Sequence, residues 1–190
     1  MDSIGTYRSG DLHLRIAEDR PESARRRATT YLDTTIPSYL VCRLNQDIRV
    51  ARHQRLTRIW WKRYRARYDL YVSERVLIEA RAGHAAVAAQ RIRALESIPV
   101  LERDEYTDTL AARLLGPGLL PVNARADAEH IAISAAHSIR FLLTWNCRHL
   151  ANPAISRNVV RMCERFGLAC PEICTPEKLM TRYANEEPTH

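Results

Sequence analysis

Residues 141–146 read Phe-Leu-Leu-Thr-Trp-Asn, a short apolar run that stops at the polar Asn146. A run without polar alternation suits a strand covered on both faces, and doubly covered strands belong to parallel sheets. The pattern recurs outward from it. Thr29–Leu32, Leu70–Val72, Ile98–Leu101 and Cys170–Cys174 read as further strands. Helical patterns fall between them. One opens at Ile36-Pro37, and a second runs from about Asn45 to Arg67, with Ile48, Leu56, Ile59 and Trp60 at near-helical spacing. Others run from the N-cap candidate Ser73 to Gly83, from His84 to Leu95, from Asp104 to Leu115, from Arg125 to Ser138, from Pro153 to Phe166, and onward from Pro176. Strand-then-helix alternation predicts an α/β fold: a three-layer α/β/α sandwich around a central parallel sheet.

A chain of 190 residues suits one domain with modest extensions. Residues 1–28 are polar, carry Arg25-Arg26-Arg27, and read as an N-terminal extension, partly disordered or holding a short helix from Leu12 to about Ala17. Residues 29–183 form the domain, and 184–190 a polar C-terminal tail. With 46% hydrophobic and 27% charged residues, the chain excludes whole-length disorder. The apolar runs fall far short of the roughly 20 residues a membrane helix needs. Asp2, Arg8, Asp11 and Arg15 interrupt the N-terminus where a secretory leader would be apolar, so a cytoplasmic location is expected. Five cysteines form no disulfide framework and read as reduced thiols. His149, Cys163, Cys170 and Cys174 lack the paired short spacings of a zinc site.

The net charge of +7 is concentrated. From Arg43 to Arg67 there are nine basic side chains against Asp47 alone, more excess than the whole chain carries. Clustered guanidinium groups gain affinity for phosphates by releasing counterions, so a polyanion is the expected partner. Arg43, Arg49, Arg52 and Arg55 are the candidate RNA contacts, and Trp60 and Trp61 a candidate stacking pair. Adjacent helical residues point about 100° apart, so one of the two is expected in the core.

In an open parallel sheet, residues just beyond strand carboxyl ends share one crevice. Asp33 and Asn146 hold that position. Glu79, on the helix after the second strand, and Asp127, in the first turn of a later helix, can reach the same rim. Converging carboxylates repel unless a hard divalent cation neutralises them, and magnesium or manganese suits an all-oxygen set. Such an ion activates water and stabilises a leaving oxygen, the chemistry of phosphodiester hydrolysis. Asn146 is neutral and adds no charge to the site. Thr34 and Thr144 are candidates to orient the acids from behind, or else they satisfy strand-end backbone groups. His130, one turn after Asp127, reads as a packing residue.

Four ordered segments, YLDTTIPSYL around Asp33, YVSERVLIEA around Glu79, ADAEHIAISAA around Asp127 and FLLTWNCRHLANP around Asn146, resemble the PIN-domain family. They are most similar to the VapC-like toxins of bacterial toxin-antitoxin systems, as is the closing PEICTPEKLM. The resemblance spans about Tyr31 to Met180. It implies a metal-dependent endoribonuclease with Asp33, Glu79 and Asp127 as ligands of Mg2+ or Mn2+, and Asn146 where many relatives carry a fourth acid. It also implies a cognate antitoxin and a homodimer.

Two other functions compete. One is a PIN-fold module that binds RNA or protein without turnover. The other is a phosphatase with Asp33 as nucleophile, disfavoured because Thr35 stands where such enzymes carry a second aspartate.

Overall fold

Ala28–Leu32 (β2) lies at the middle of the sheet because its sequence is apolar enough to be covered on both sides. Tyr31 and Leu32 are fully buried. In the computed structural model, residues 6–7, 27–146 and 153–186 are described. The remaining strands are β1 (Thr6–Tyr7), β3 (Tyr68–Ser73), β4 (Val100–Leu101), β5 (Phe141–Leu143) and β6 (Glu172–Cys174). They form one sheet in the order β1-β4-β3-β2-β5-β6, with every neighbouring pair parallel.

The helices are α1 (Thr35–Val41), α2 (Ile48–Arg63), α3 (Glu74–Arg81), α4 (Ala85–Leu95), α5 (Glu105–Arg113), α6 (Arg125–Ala136), α7 (Pro153–Arg165) and α8 (Pro176–Glu186). One packed set contains α1, α2, α3, α4 and α8; a second contains α5, α6 and α7. With the sheet these outer layers make the α/β/α sandwich. No helix among the described residues is long and apolar enough to cross a membrane.

The order of the strands positions the site. From β2 the chain adds β3 and then β4 on one side, and later crosses to add β5 and β6 on the other. The direction reverses between β2 and β5, and such a reversal leaves a crevice at their carboxyl ends. Asp33 follows β2 and Thr144 follows β5 directly. The Asp33 N–H donates to the Leu143 carbonyl at 3.1 Å, which fixes the two strand ends together.

Local chemistry accounts for the helix ends. The Asp47 side chain accepts from the N–H groups of Arg49 and Val50 and starts α2. Asp104 and Thr107 form a capping box on α5. Gly83 turns the chain after α3 at φ +88°, a conformation that disfavours any side chain.

Beyond shifts of a few residues at element ends, three details differ from the sequence reading. The polar extension contributes the edge strand β1, while its candidate helix from Leu12 to Ala17 lies outside the described residues. Ser73 stands at the N-cap of α3 but makes no capping bond. Its hydroxyl meets the buried Tyr31 hydroxyl at 2.6 Å instead, because a buried phenol must find a partner. Finally, α8 continues to Glu186, past the start of the expected tail.

Candidate carboxylate site

Asp33 is 5% exposed, and neutral donors grip both of its oxygens. Oδ1 accepts from the Thr35 N–H at 2.8 Å and from the Thr35 hydroxyl. Oδ2 accepts from the Thr144 hydroxyl at 2.5 Å. Those hydroxyls are held in turn: Thr35 Oγ1 accepts from the Trp145 N–H at 3.0 Å, and Thr144 Oγ1 from the Asn146 N–H at 2.8 Å. The segment after β5 therefore locks the segment after β2. Among the described residues, no Lys, Arg or His side chain forms an ion pair with Asp33.

Glu79 is joined to the same loop, because Thr34 donates its hydroxyl to Glu79 Oε2 at 2.5 Å. Arg75, one turn earlier on α3, donates to Oε1 at 2.7 Å. His130 Nε2 stands 3.8 Å from Oε2. Partial burial pushes the Glu79 carboxyl up, but the bonds from Thr34 and Arg75 and the nearby His130 outweigh it and hold the group below its ordinary value. At neutral pH Glu79 is an anion.

Asp127 lies at the start of α6, where its Oδ1 accepts from the Asn146 side-chain amide at 2.8 Å. Two hydrogen-bonded groups result: Asp33, Thr144, Asn146 and Asp127 in one, and Thr34 with Glu79 in the other, adjacent through the Asp33-Thr34 peptide. No three His, Cys, Asp or Glu side chains among the described residues form a group able to hold a metal ion.

His130 is buried, as expected of a packing residue, and it also makes polar contacts. Its Nδ1 lies 2.8 Å from the Tyr31 hydroxyl, and that hydroxyl also meets Ser73, so a buried Tyr-Ser-His cluster backs Glu79. Burial drives the Tyr31 phenol well above its ordinary range and keeps it neutral.

No family model, curated protein or solved structure matches the chain. A carboxylate offers about four acceptor positions. Asp33 uses three, which leaves one on Oδ2. Magnesium needs only one or two carboxylates because it retains several waters. The open position on Asp33 Oδ2 is compatible in its chemistry with a hydrated hard cation.

The basic helix divides its labour. Arg52 is bound to Glu177 through both guanidinium ends, at 3.1 and 2.5 Å, and so ties α2 to α8. Arg58 donates to the carbonyls of Leu40 and Cys42 and caps the end of α1. Arg43, Arg49 and Arg55 are exposed. Trp60 is fully buried, whereas Trp61 is partly exposed with the Arg65 guanidinium 4.8 Å from its ring centroid.

Sequence reasoning missed Thr35, Trp145 and His53. The Trp145 and His53 rings stack at 4.0 Å, and the Trp145 indole N–H donates to Thr57 at 2.7 Å. The Thr35 contact follows a local rule, since an aspartate commonly accepts from the N–H two residues on. The stacked pair spans 92 residues of sequence and gives no local signal.

Proposed function

We propose that the chain is a metal-dependent endoribonuclease, the toxin of a toxin-antitoxin pair, which hydrolyses RNA phosphodiester bonds at the Asp33 district. The observation that carries this reading is Asp33 itself, a buried carboxylate gripped by neutral donors at the switch-point crevice. A buried anion without counter-charge is unfavourable, and a hard divalent cation is the partner an oxygen set selects. Asp33, Glu79 and Asp127 would hold magnesium or manganese, which supplies water activation and Lewis acidity for displacement at phosphorus.

The chain's own residues do the rest. Thr35 and Thr144 fix the orientation of Asp33, and Thr34 turns Glu79 toward the same rim. Arg75 offsets part of the negative charge of Glu79. Asn146 aligns Asp127 without adding another charge. The exposed Arg43, Arg49 and Arg55 offer phosphate contacts, and an acidic antitoxin segment would compete for them. A cytoplasmic location and a homodimer belong to the same proposal.

The second reading, a PIN-fold module without turnover, draws on the Asn146-Asp127 bond, which uses an acceptor position that a cation would otherwise take. Cleavage of structured RNAs in magnesium or manganese by the wild type, Asp33→Asn and Asp127→Asn separates the two. Strong loss in both variants is expected. Equal cleavage by all three proteins would remove the site, and RNA binding without any cleavage would favour the module.

A further inference from the structure

The amino ends of the strands, opposite the carboxylate site, gather a second set of cations. Ala28 pairs with Tyr68, so Arg27 and Arg67, the residues before them, are neighbours across adjacent strands. Arg140 precedes β5, and its N–H donates to the Thr29 hydroxyl at 2.9 Å, which brings it to the same edge. The end of α2 and the turn into β3 add Arg63 and Arg65. All five residues are exposed. Three guanidinium groups lie over aromatic rings: Arg65 over Trp61 at 4.8 Å, Arg67 over Tyr64 at 5.3 Å and Arg140 over Phe141 at 5.0 Å from the centroid.

Adjacent strands stand about 4.8 Å apart, and like charges at that spacing are destabilising unless something offsets them. Two acids, Asp69 and Glu172, lie on β2, β3, β5 and β6. Glu172 is already engaged by Lys178 and Arg182. Among the described residues, Arg27, Arg63, Arg65 and Arg140 form no ion pair. Such a patch suits a polyanion. Its composition narrows the choice, because guanidinium forks bind phosphate through two parallel N–H bonds and the rings beneath hold two of the forks in place. Cations interleaved with aromatic rings are the combination that recognises single-stranded nucleic acid.

Helix α2 joins the two ends of the molecule. His53 stacks on Trp145 beside the carboxylate site, whereas Trp60 packs on Tyr68 at 5.8 Å at the amino end. A helix of 16 residues is about 24 Å long. At about 3.4 Å per nucleotide of one strand, that length corresponds to roughly seven nucleotides.

We propose that Arg27, Arg63, Arg65 and Arg140, with Trp61, form a second RNA-binding surface at the amino end of the sheet. It holds the phosphates of a strand roughly seven nucleotides from the segment at the carboxylate site. That the bound RNA is also cleaved rests on the ribonuclease reading; binding at the patch does not.

A fluorescent single-stranded RNA of about 20 nucleotides, long enough to reach both ends, is titrated over salt without divalent ions. Wild type is compared with Arg65→Ala/Arg140→Ala and with Arg157→Ala/Arg161→Ala, which removes the same charge from exposed positions of α7. The first pair should lower the slope of log affinity against log salt by roughly one to two, and the α7 pair should leave it unchanged. Arg65→Lys/Arg140→Lys, which keeps the charge but loses the fork, should keep the slope and bind several-fold more weakly. An unchanged slope in Arg65→Ala/Arg140→Ala would overturn the inference, as would an equal loss in the α7 pair. Photo-crosslinking of the same RNA to the wild type decides the matter if a variant fails to fold: crosslinks are expected within residues 61–67, and crosslinks confined to the carboxylate end would overturn the inference. Vesicles of phosphatidylserine and phosphatidylcholine that bind the wild type but not the Arg65→Ala/Arg140→Ala protein, with RNA affinity unaltered, would assign the patch to a membrane and overturn it too. The expected slope change without any cleavage in magnesium would overturn the ribonuclease reading and leave the patch intact. Cleavage with no slope change would do the reverse.

Discussion

Replacing Thr144 by Val removes a hydroxyl but keeps the side chain's shape, which isolates one bond of the carboxylate district. That bond runs 2.5 Å from Thr144 Oγ1 to Asp33 Oδ2, between residues 2% and 5% exposed. A hydrogen bond to a charged group contributes about 1.5–3 kcal/mol, and burial prevents water from replacing it. The second bond lost, from the Asn146 N–H at 2.8 Å, lies beside an exposed residue and is largely restored by solvent. The expected loss is about 2 kcal/mol, equivalent to roughly 4–8 °C in Tm for a chain of this size. Urea unfolding followed by tryptophan fluorescence measures it. The decisive form is a double-mutant cycle with Asp33→Ala, where a coupling of at least about 1 kcal/mol is expected because the hydroxyl then has no carboxylate to meet. Additive losses in the cycle would refute the reasoning.

Three further predictions concern other parts of the molecule. Burial pushes the Asp104 carboxyl up, but bonds from the Thr107 side chain and N–H prevail and hold it below its ordinary value. Its capping contribution is therefore present above the unfolded value near pH 4 and is lost as pH falls through the folded one. Asp104→Ala should cost about 1 kcal/mol at pH 7, and urea midpoints of the two proteins should converge below pH 4. The Trp60 indole N–H is buried without a partner, so Trp60→Phe loses packing but no hydrogen bond and should cost no more than about 2 kcal/mol by the same urea assay. In RNA binding titrated over salt, Arg49→Ala and Arg55→Ala should each reduce the slope by about one. Arg52→Ala should leave it unchanged, because Glu177 already holds that guanidinium.

The sheet was legible because burial on both faces leaves a local mark. Phe141–Leu143 and Ala28–Leu32 carry unbroken apolar or β-prone residues, and the polar residue after each marks its carboxyl end. Asp33 could be placed for the same reason, whereas β5 ends at Leu143, so that Thr144 and not Asn146 takes the strand-end position. Three features were not legible. The strand Thr6–Tyr7 sits in polar sequence and exists through its pairing with β4 alone. The Tyr31-His130 contact joins residues 99 apart, and no periodicity reports such a distance. Glu129 resembles a solvent-facing acid on its helix, yet α6 is buried from Ala128 to Ala135, so the carboxylate lies inside. Convergence of three acids was expected from strand order; among the described residues no three acids form a group able to hold a metal ion, and Glu79, Asp33 and Asp127 are each bonded instead to a hydroxyl or an amide.

The central claim is that a divalent cation at Asp33 drives RNA cleavage. Its most direct test is the rate of cleavage of a labelled structured RNA as magnesium is added to protein stripped with EDTA. No cleavage is expected in the stripped protein, with recovery that saturates with magnesium, and no recovery in Asp33→Asn at any magnesium concentration reached. Cleavage that persists in excess EDTA, or that returns equally in Asp33→Asn, would contradict it.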